Sequence, residues 1–167
     1  MKLLSLLIKL LPTRPIYAHC DIPCGIYDPH QMQLAAHTVI RMTNMINDLK
    51  PSSEEPPFDE RKKIISQISR LTKVKEEHAG IVEEELETLW MDYFKDEHFK
   101  EYPELKDLLF ETIKLSGTVR QDIDLDSANK LLANTQKIAE IFWKTKSMTP
   151  VKIPSGYPTE GEIVSHR

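Results

Sequence analysis

Apolar residues recur three and four positions apart along most of this chain, a spacing that confines it to amphipathic α-helices. Met32, Ala35, Val39, Met42, Ile46 and Leu49 form the first such stripe, with Asp28 available as a cap and Pro29 suited to the first helical position. A second stripe runs through Ile64, Ile68, Leu71, Val74, His78, Ile81, Val82, Leu86, Leu89 and Tyr93, predicting one helix from about Asp59 to Phe94. Gly80 lies inside it and should weaken it by roughly 1 kcal/mol relative to alanine. Pro103 precedes a third set, Leu105, Leu108, Leu109, Phe110 and Ile113, whose helix should end near Gly117. The acidic run from Asp122 to Asp126 reads as a loop with Asp126 as cap, and a fourth helix follows with Ala128, Leu131, Leu132, Ile138, Ile141 and Phe142 inward. Residues 50–57, with two serines and three prolines, read as a linker. Four stripes, short links and no strand pattern predict an all-α fold, an antiparallel four-helix bundle over 29–146. The tail over 147–167, with three prolines and two glycines, is expected to be extended or disordered.

A chain of 167 residues, 29 % charged and 40 % hydrophobic, suffices for one domain with a hydrophobic core. Its net charge is −4; without residues 1–18, which carry Lys2, Lys9 and Arg14, it holds 19 basic against 26 acidic residues, or −7. That balance argues against nucleic acid as a partner, because such binding rests on neutralising phosphates. It also means that an anionic substrate must be drawn in by a local cationic patch. Residues 1–18 contain no acid and are rich in leucine, and they read as a cleaved presequence. The apolar run from Leu3 to Leu11 is too short to span a bilayer, so no stable membrane insertion is expected. A charged start, a short apolar stretch and Ala18 suit a secretory signal, whereas Lys9 and Ile16 suit a cytoplasmic propeptide. Both readings stay open, as does an amphipathic helix that is retained.

The chemistry is concentrated in HCDIPCGIYDP, His19 to Pro29, which holds both cysteines of the chain, Cys20 and Cys24. Pro23 and Gly25 shape a compact hook over 19–28 rather than a helix. If the chain is cut before His19, its new α-amine, the Cys20 amide nitrogen and the Cys20 thiolate close two five-membered chelate rings around one metal. Cys24 adds a second thiolate around the turn, and the His19 imidazole can approach axially. Planar nitrogen and sulfur ligation suits Ni(II) or Cu(II), whereas zinc prefers a tetrahedron. The spacing also admits a strained disulfide, or half of a zinc site completed by His37 or His78.

HCDIPCGIYDP resembles the hook of the nickel-containing superoxide dismutases, whose pattern is HCDxPCGxYDP. The resemblance continues through LWMDYFKDEHFKEYPEL (Leu89 to Leu105) and KIAEIFWKTK (Lys137 to Lys146), and so covers most of 19–146. It implies a four-helix bundle assembled as a homohexamer, matured by a protease to a terminal histidine. It also implies a nickel ion as cofactor, superoxide as substrate and a Ni(III)/Ni(II) cycle that yields oxygen and hydrogen peroxide. By position the metal ligands are His19, Cys20 and Cys24. Tyr27 and Tyr93 match the two tyrosines lining the substrate pocket, and Asp21 and Lys95 match positions near its entrance. One departure stands out: the glutamate and arginine that orient the histidine ring in the family correspond here to Ala35 and His78. His78 is therefore expected to serve as the partner of the His19 ring. The rival readings are a non-catalytic nickel or copper carrier and a helical interaction protein with a merely structural cysteine pair.

Overall fold

The computed structural model describes residues 25–167. Helix α1 spans His30–Asn47 and helix α2 spans Phe58–Thr88. A π-helical turn, Leu89–Tyr93, leads to the short helix α3, Asp96–Glu101. Helices α4 (Leu105–Gln121) and α5 (Leu125–Thr145) come next, and then strands β1 (Pro150–Pro154) and β2 (Glu162–His166). Among the described residues the protein is thus mostly helical with one small two-stranded sheet. The four long helices pack as a ring of neighbours, α1 on α2, α2 on α4, α4 on α5 and α5 on α1. Met32, Val39, Val82, Leu86, Leu105, Leu109, Leu131, Ile138 and Phe142 meet between them, with essentially no exposed surface. Burial of each such side chain contributes about 1.5–3 kcal/mol.

Local sequence sets most boundaries, with three displacements. Pro29 rather than Asp28 occupies the cap position of α1, and the Asp28 carboxylate accepts the His30 N–H at 2.7 Å. The cap of α5 is Asp124 rather than Asp126; its carboxylate accepts the backbone N–H of Asp126 and of Ser127. Helix α4 continues through Gly117 to Gln121 because residues beyond the glycine are held. Val119 is buried, and the buried Lys75 amine of α2 donates to the carbonyls of Val119, Arg120 (3.3 Å) and Asp122 (2.8 Å). Those carbonyls end the helix, where a cation complements the dipole. Phe110, expected inward, is instead exposed.

The expectation of a chain without strands, closing in an extended or disordered tail, is corrected by the hairpin. Strands β1 and β2 pair antiparallel with Lys152 opposite Val164. Alternation along the ladder turns Pro150, Lys152 and Pro154 outward, so neither proline position needs an N–H for pairing. Gly156 and Gly161 take φ +71° and +75° in the connection, a region glycine enters without steric cost. Residues that look like breakers are therefore the turn and edge chemistry of a hairpin. It docks on α1 and α5: Val164 is buried, and its N–H and C=O both bond the Gln33 side chain, at 2.7 and 3.1 Å. The His166 ring stacks on Trp143 with centroids 3.9 Å apart.

Candidate functional site

The predicted second helix does not run unbroken to Phe94. Beyond Thr88 the chain widens into the π-helical turn, closed by the Phe94 N–H on the Leu89 carbonyl at 2.8 Å, five residues back. One extra residue in a turn shifts the angular position of every later side chain, and such turns recur at functional sites. Here the turn sets Tyr93 into an aromatic cluster. Its ring lies 5.5 Å from that of Tyr27, 4.6 Å from Phe142 and 5.2 Å from Phe94. Tyr27 and Tyr93, sixty-six positions apart in the sequence, are thereby brought together just beyond the hook.

The hydrogen bonds fix the direction of the Tyr93 hydroxyl. Thr145 Oγ1 donates its single proton to the Phe142 carbonyl at 2.7 Å. It can therefore only accept from Tyr93, whose Oη lies 2.8 Å away. The Tyr93 proton points into the protein and its oxygen lone pairs are left for an incoming donor. Burial pushes the Tyr93 phenol above the usual tyrosine range. The phenol thus stays protonated through the neutral range.

Two further groups frame this ring, and the sequence pattern did not single them out. The His98 ring stacks on Tyr93 at 5.6 Å with 20° between the planes, and its Nδ1 accepts the Lys95 backbone N–H at 3.1 Å. The Lys146 ammonium lies 5.6 Å from the Tyr93 centroid and 4.8 Å from that of Phe142. It is a fixed cation at a tyrosine pocket in an acidic chain. Both residues sit within the two longer segments that carried the resemblance, so a signal for them was present. Lys95 itself is exposed at the cap of α3.

His78 is half-buried on α2, and its Nδ1 donates to the Val74 carbonyl one turn back at 2.9 Å, leaving Nε2 as the ring's other hydrogen-bonding atom. Ala35 is buried on α1. His37 has both ring nitrogens occupied, Nδ1 by the Thr159 hydroxyl at 2.8 Å and Nε2 by the Glu162 carbonyl at 3.2 Å. It is an anchor for the hairpin rather than a spare metal ligand. Glu85, on the same side of α2 as His78, is half-buried; burial first, then the nearby Glu84 and Asp28 charges, raise its carboxyl above the usual range. Among the described residues no group of three His, Cys, Asp or Glu could hold a metal ion. His19, Cys20, Asp21 and Cys24, together with the 1–18 presequence, lie outside the described residues.

The family model described as nickel-containing superoxide dismutase matches residues 14–146. A superoxide dismutase [Ni] of Streptomyces coelicolor is 33 % identical over 135 residues, which cover 81 % of this chain and 93 % of that protein. One from Streptomyces seoulensis is 36 % identical over 135 residues, with the same shares. A native nickel superoxide dismutase structure aligns at 33 % identity with a TM-score of 0.62, covering 77 % of this chain and 99 % of that one. A structure with nickel ligation in the oxidised state aligns at 32 % identity with a TM-score of 0.64 and the same coverage. No helix among the described residues is long and apolar enough to cross a membrane.

Proposed function

The chain belongs to the nickel-containing superoxide dismutase family, and from that premise we propose that its metal centre is the amino-terminal hook, exposed when a protease cuts before His19. The protein is a nickel-dependent superoxide dismutase, with nickel as cofactor and superoxide as substrate. The ligands in this reading are the His19 amine and imidazole, the Cys20 amide nitrogen and thiolate, and the Cys24 thiolate. Two nitrogens, two thiolates and an imidazole from these residues would suit nickel by donor chemistry. His37, the alternative zinc partner, is already occupied on both nitrogens. The finer architecture in this reading is an antiparallel four-helix bundle carrying the hook, supported by the ring of four packed helices. Assembly as a homohexamer completes the reading and rests on family membership.

Bound nickel supplies a one-electron couple, so that two superoxide anions and two protons become oxygen and hydrogen peroxide. The chain's own residues must admit the anion, order water and deliver protons. Lys146 places a positive charge beside the Tyr93 ring in a protein whose net charge repels anions. Tyr93, with its proton committed to Thr145, offers a lone pair that accepts one hydrogen of a water, leaving the water's second hydrogen for the anion. The proton then comes from this water, while Tyr93 positions it. Tyr27 closes the other side of the pocket. His78 Nε2 is assigned to the His19 ring, in place of the pair missing at Ala35 and His78, and Asp21 and Lys95 to the entrance.

The observation that carries this reading is the contact of Tyr27, three residues after Cys24, with Tyr93 at the end of the π-helical turn. The test is superoxide dismutation by nickel-loaded protein beginning at His19, beside the uncleaved chain under the same loading. Turnover in the trimmed form alone supports the terminal chelate. Stoichiometric nickel without turnover in that form would favour the metal carrier instead.

A further inference from the structure

We propose that an exposed flank of α2 docks against the same flank of α2 in a second copy of this chain, the two helices antiparallel about a two-fold axis. Three observations, none of them involving the metal chemistry, converge on this surface.

The first is apolar exposure. Phe58 and Ile65 are 66 % and 64 % exposed, and at about 100° per residue they lie within about 20° of one another, on a flank of α2 about 70–90° round from the face that buries Lys75, Ala79, Val82 and Leu86. Two large side chains a heptad apart on one exposed helix face are an unpartnered seam.

The second is Gly80. It lies on roughly the same line as Phe58 and Ile65, in the middle of a 31-residue helix, where glycine weakens the helix relative to alanine. A Cβ built there meets no atom within 4 Å. Nothing among the described residues requires the missing side chain, whereas close approach of another helix does.

The third is charge. From Phe58 to Lys75 the helix carries six basic residues against Asp59 and Glu60; from Glu76 to Thr88 it carries six acids and no Lys or Arg. This polarity opposes the helix dipole, which favours acids at the start and bases at the end. It is not arranged for the helix itself. It is self-complementary: antiparallel pairing lays each basic half on the partner's acidic half.

A register centred between Thr72 and Lys73 satisfies all three together. Ile65 then sits over the partner's Gly80, a knob on a flat spot. Lys62 faces the partner's Glu84, Glu83 being held by Arg120 of its own chain at 3.0 Å, and Phe58 lies beside the partner's Glu87, with Met91, itself exposed, one turn beyond. Every contact occurs twice, as a two-fold interface requires. A second copy is the natural occupant because one helix supplies both the knob and its seat, and both signs of charge. In the single chain Lys62 pairs with Asp59 at 2.8 Å and lies 4.9 Å from the Phe58 centroid, both partners exposed and on its own helix, so it can turn to a partner. This names a surface, which the homohexamer expectation does not.

The experiment is sedimentation of the full-length chain across a dilution series, for wild type and for Gly80→Gln, Lys62→Glu, Glu84→Lys and the last two combined. Wild type is expected to sediment above the 19.3 kDa of one chain. Gly80→Gln should lower the mass while leaving helix content intact, because glutamine favours a helix more than glycine does. Each charge reversal should shift the dissociation midpoint at least tenfold, and the double reversal should restore it. A single-chain wild type, an unchanged midpoint in Gly80→Gln, or a double reversal no better than its singles would overturn the proposal.

Discussion

Replacing Gln33 by alanine should release the carboxy-terminal hairpin from α1. Gln33 has no exposed surface; its Nε2 donates to the carbonyls of Pro29 and Val164, and its Oε1 accepts the Val164 N–H at 2.7 Å. The outer edge of β2 is thus paired with a side-chain amide in place of a third strand. Alanine removes all three bonds and strands the Val164 N–H, which is buried. An unsatisfied buried donor costs about 1–3 kcal/mol, and the two carbonyls, each with a spare lone pair, add less. The expected loss is therefore about 2–4 kcal/mol, which is roughly 30- to 1000-fold in the opening equilibrium of the hairpin. Amide hydrogen exchange measured at Val164 reads this directly, with the Leu131 and Ile138 amides of α5 as internal references. Faster exchange at Val164 with unchanged references is the expected pattern. A Val164 amide exchanging no faster than in wild type would refute the argument that this side chain seals the edge.

Tyr93→Phe removes the bond to Thr145 and the oxygen that orders water, and should lower dismutation roughly 2- to 10-fold. Nickel content, measured by metal analysis, should not change. Lys146→Glu should lower kcat/KM and reverse the sign of its dependence on ionic strength, because the charge that attracts the anion is inverted; an unaltered salt profile would count against that role. Burial holds His37 below its ordinary value of 6.5, against the opposing pull of the Glu162 carbonyl. The unfolded chain then binds the proton first, so this contribution is full above about pH 6.5 and is lost as pH falls through the depressed value. Exchange at Glu162 to Val164 should accelerate in acid, and His37→Gln should flatten that response.

Much of this protein was legible before any tertiary contact was known. The three-and-four spacing located the long helices because a stripe of apolar side chains has only one way to leave water in a chain this polar. The chelate proposed for the hook is equally local in the sequence, since its rings would be closed by consecutive atoms of two adjacent residues. The hairpin was hidden because Pro150, Pro154, Gly156 and Gly161 carry the same composition in a disordered tail and in an edge strand with its turn. What separates the two is Gln33, 131 positions from Val164, and no local pattern announces that bond. The same holds for the half-buried Ile64, Ile68 and Leu71, which periodicity counts as core although α2 outruns its neighbours there.

By itself the sequence determined the four long helices and marked the candidate chelate proposed for the hook, because helix periodicity and chelate spacing depend on neighbours along the chain. Only the tertiary structure decided which way the Tyr93 proton points, what stands over its ring and where the last twenty residues lie. Those outcomes depend on Thr145, Phe142, Lys146 and Gln33 arriving from other elements, and distance through space is not written in distance along the chain.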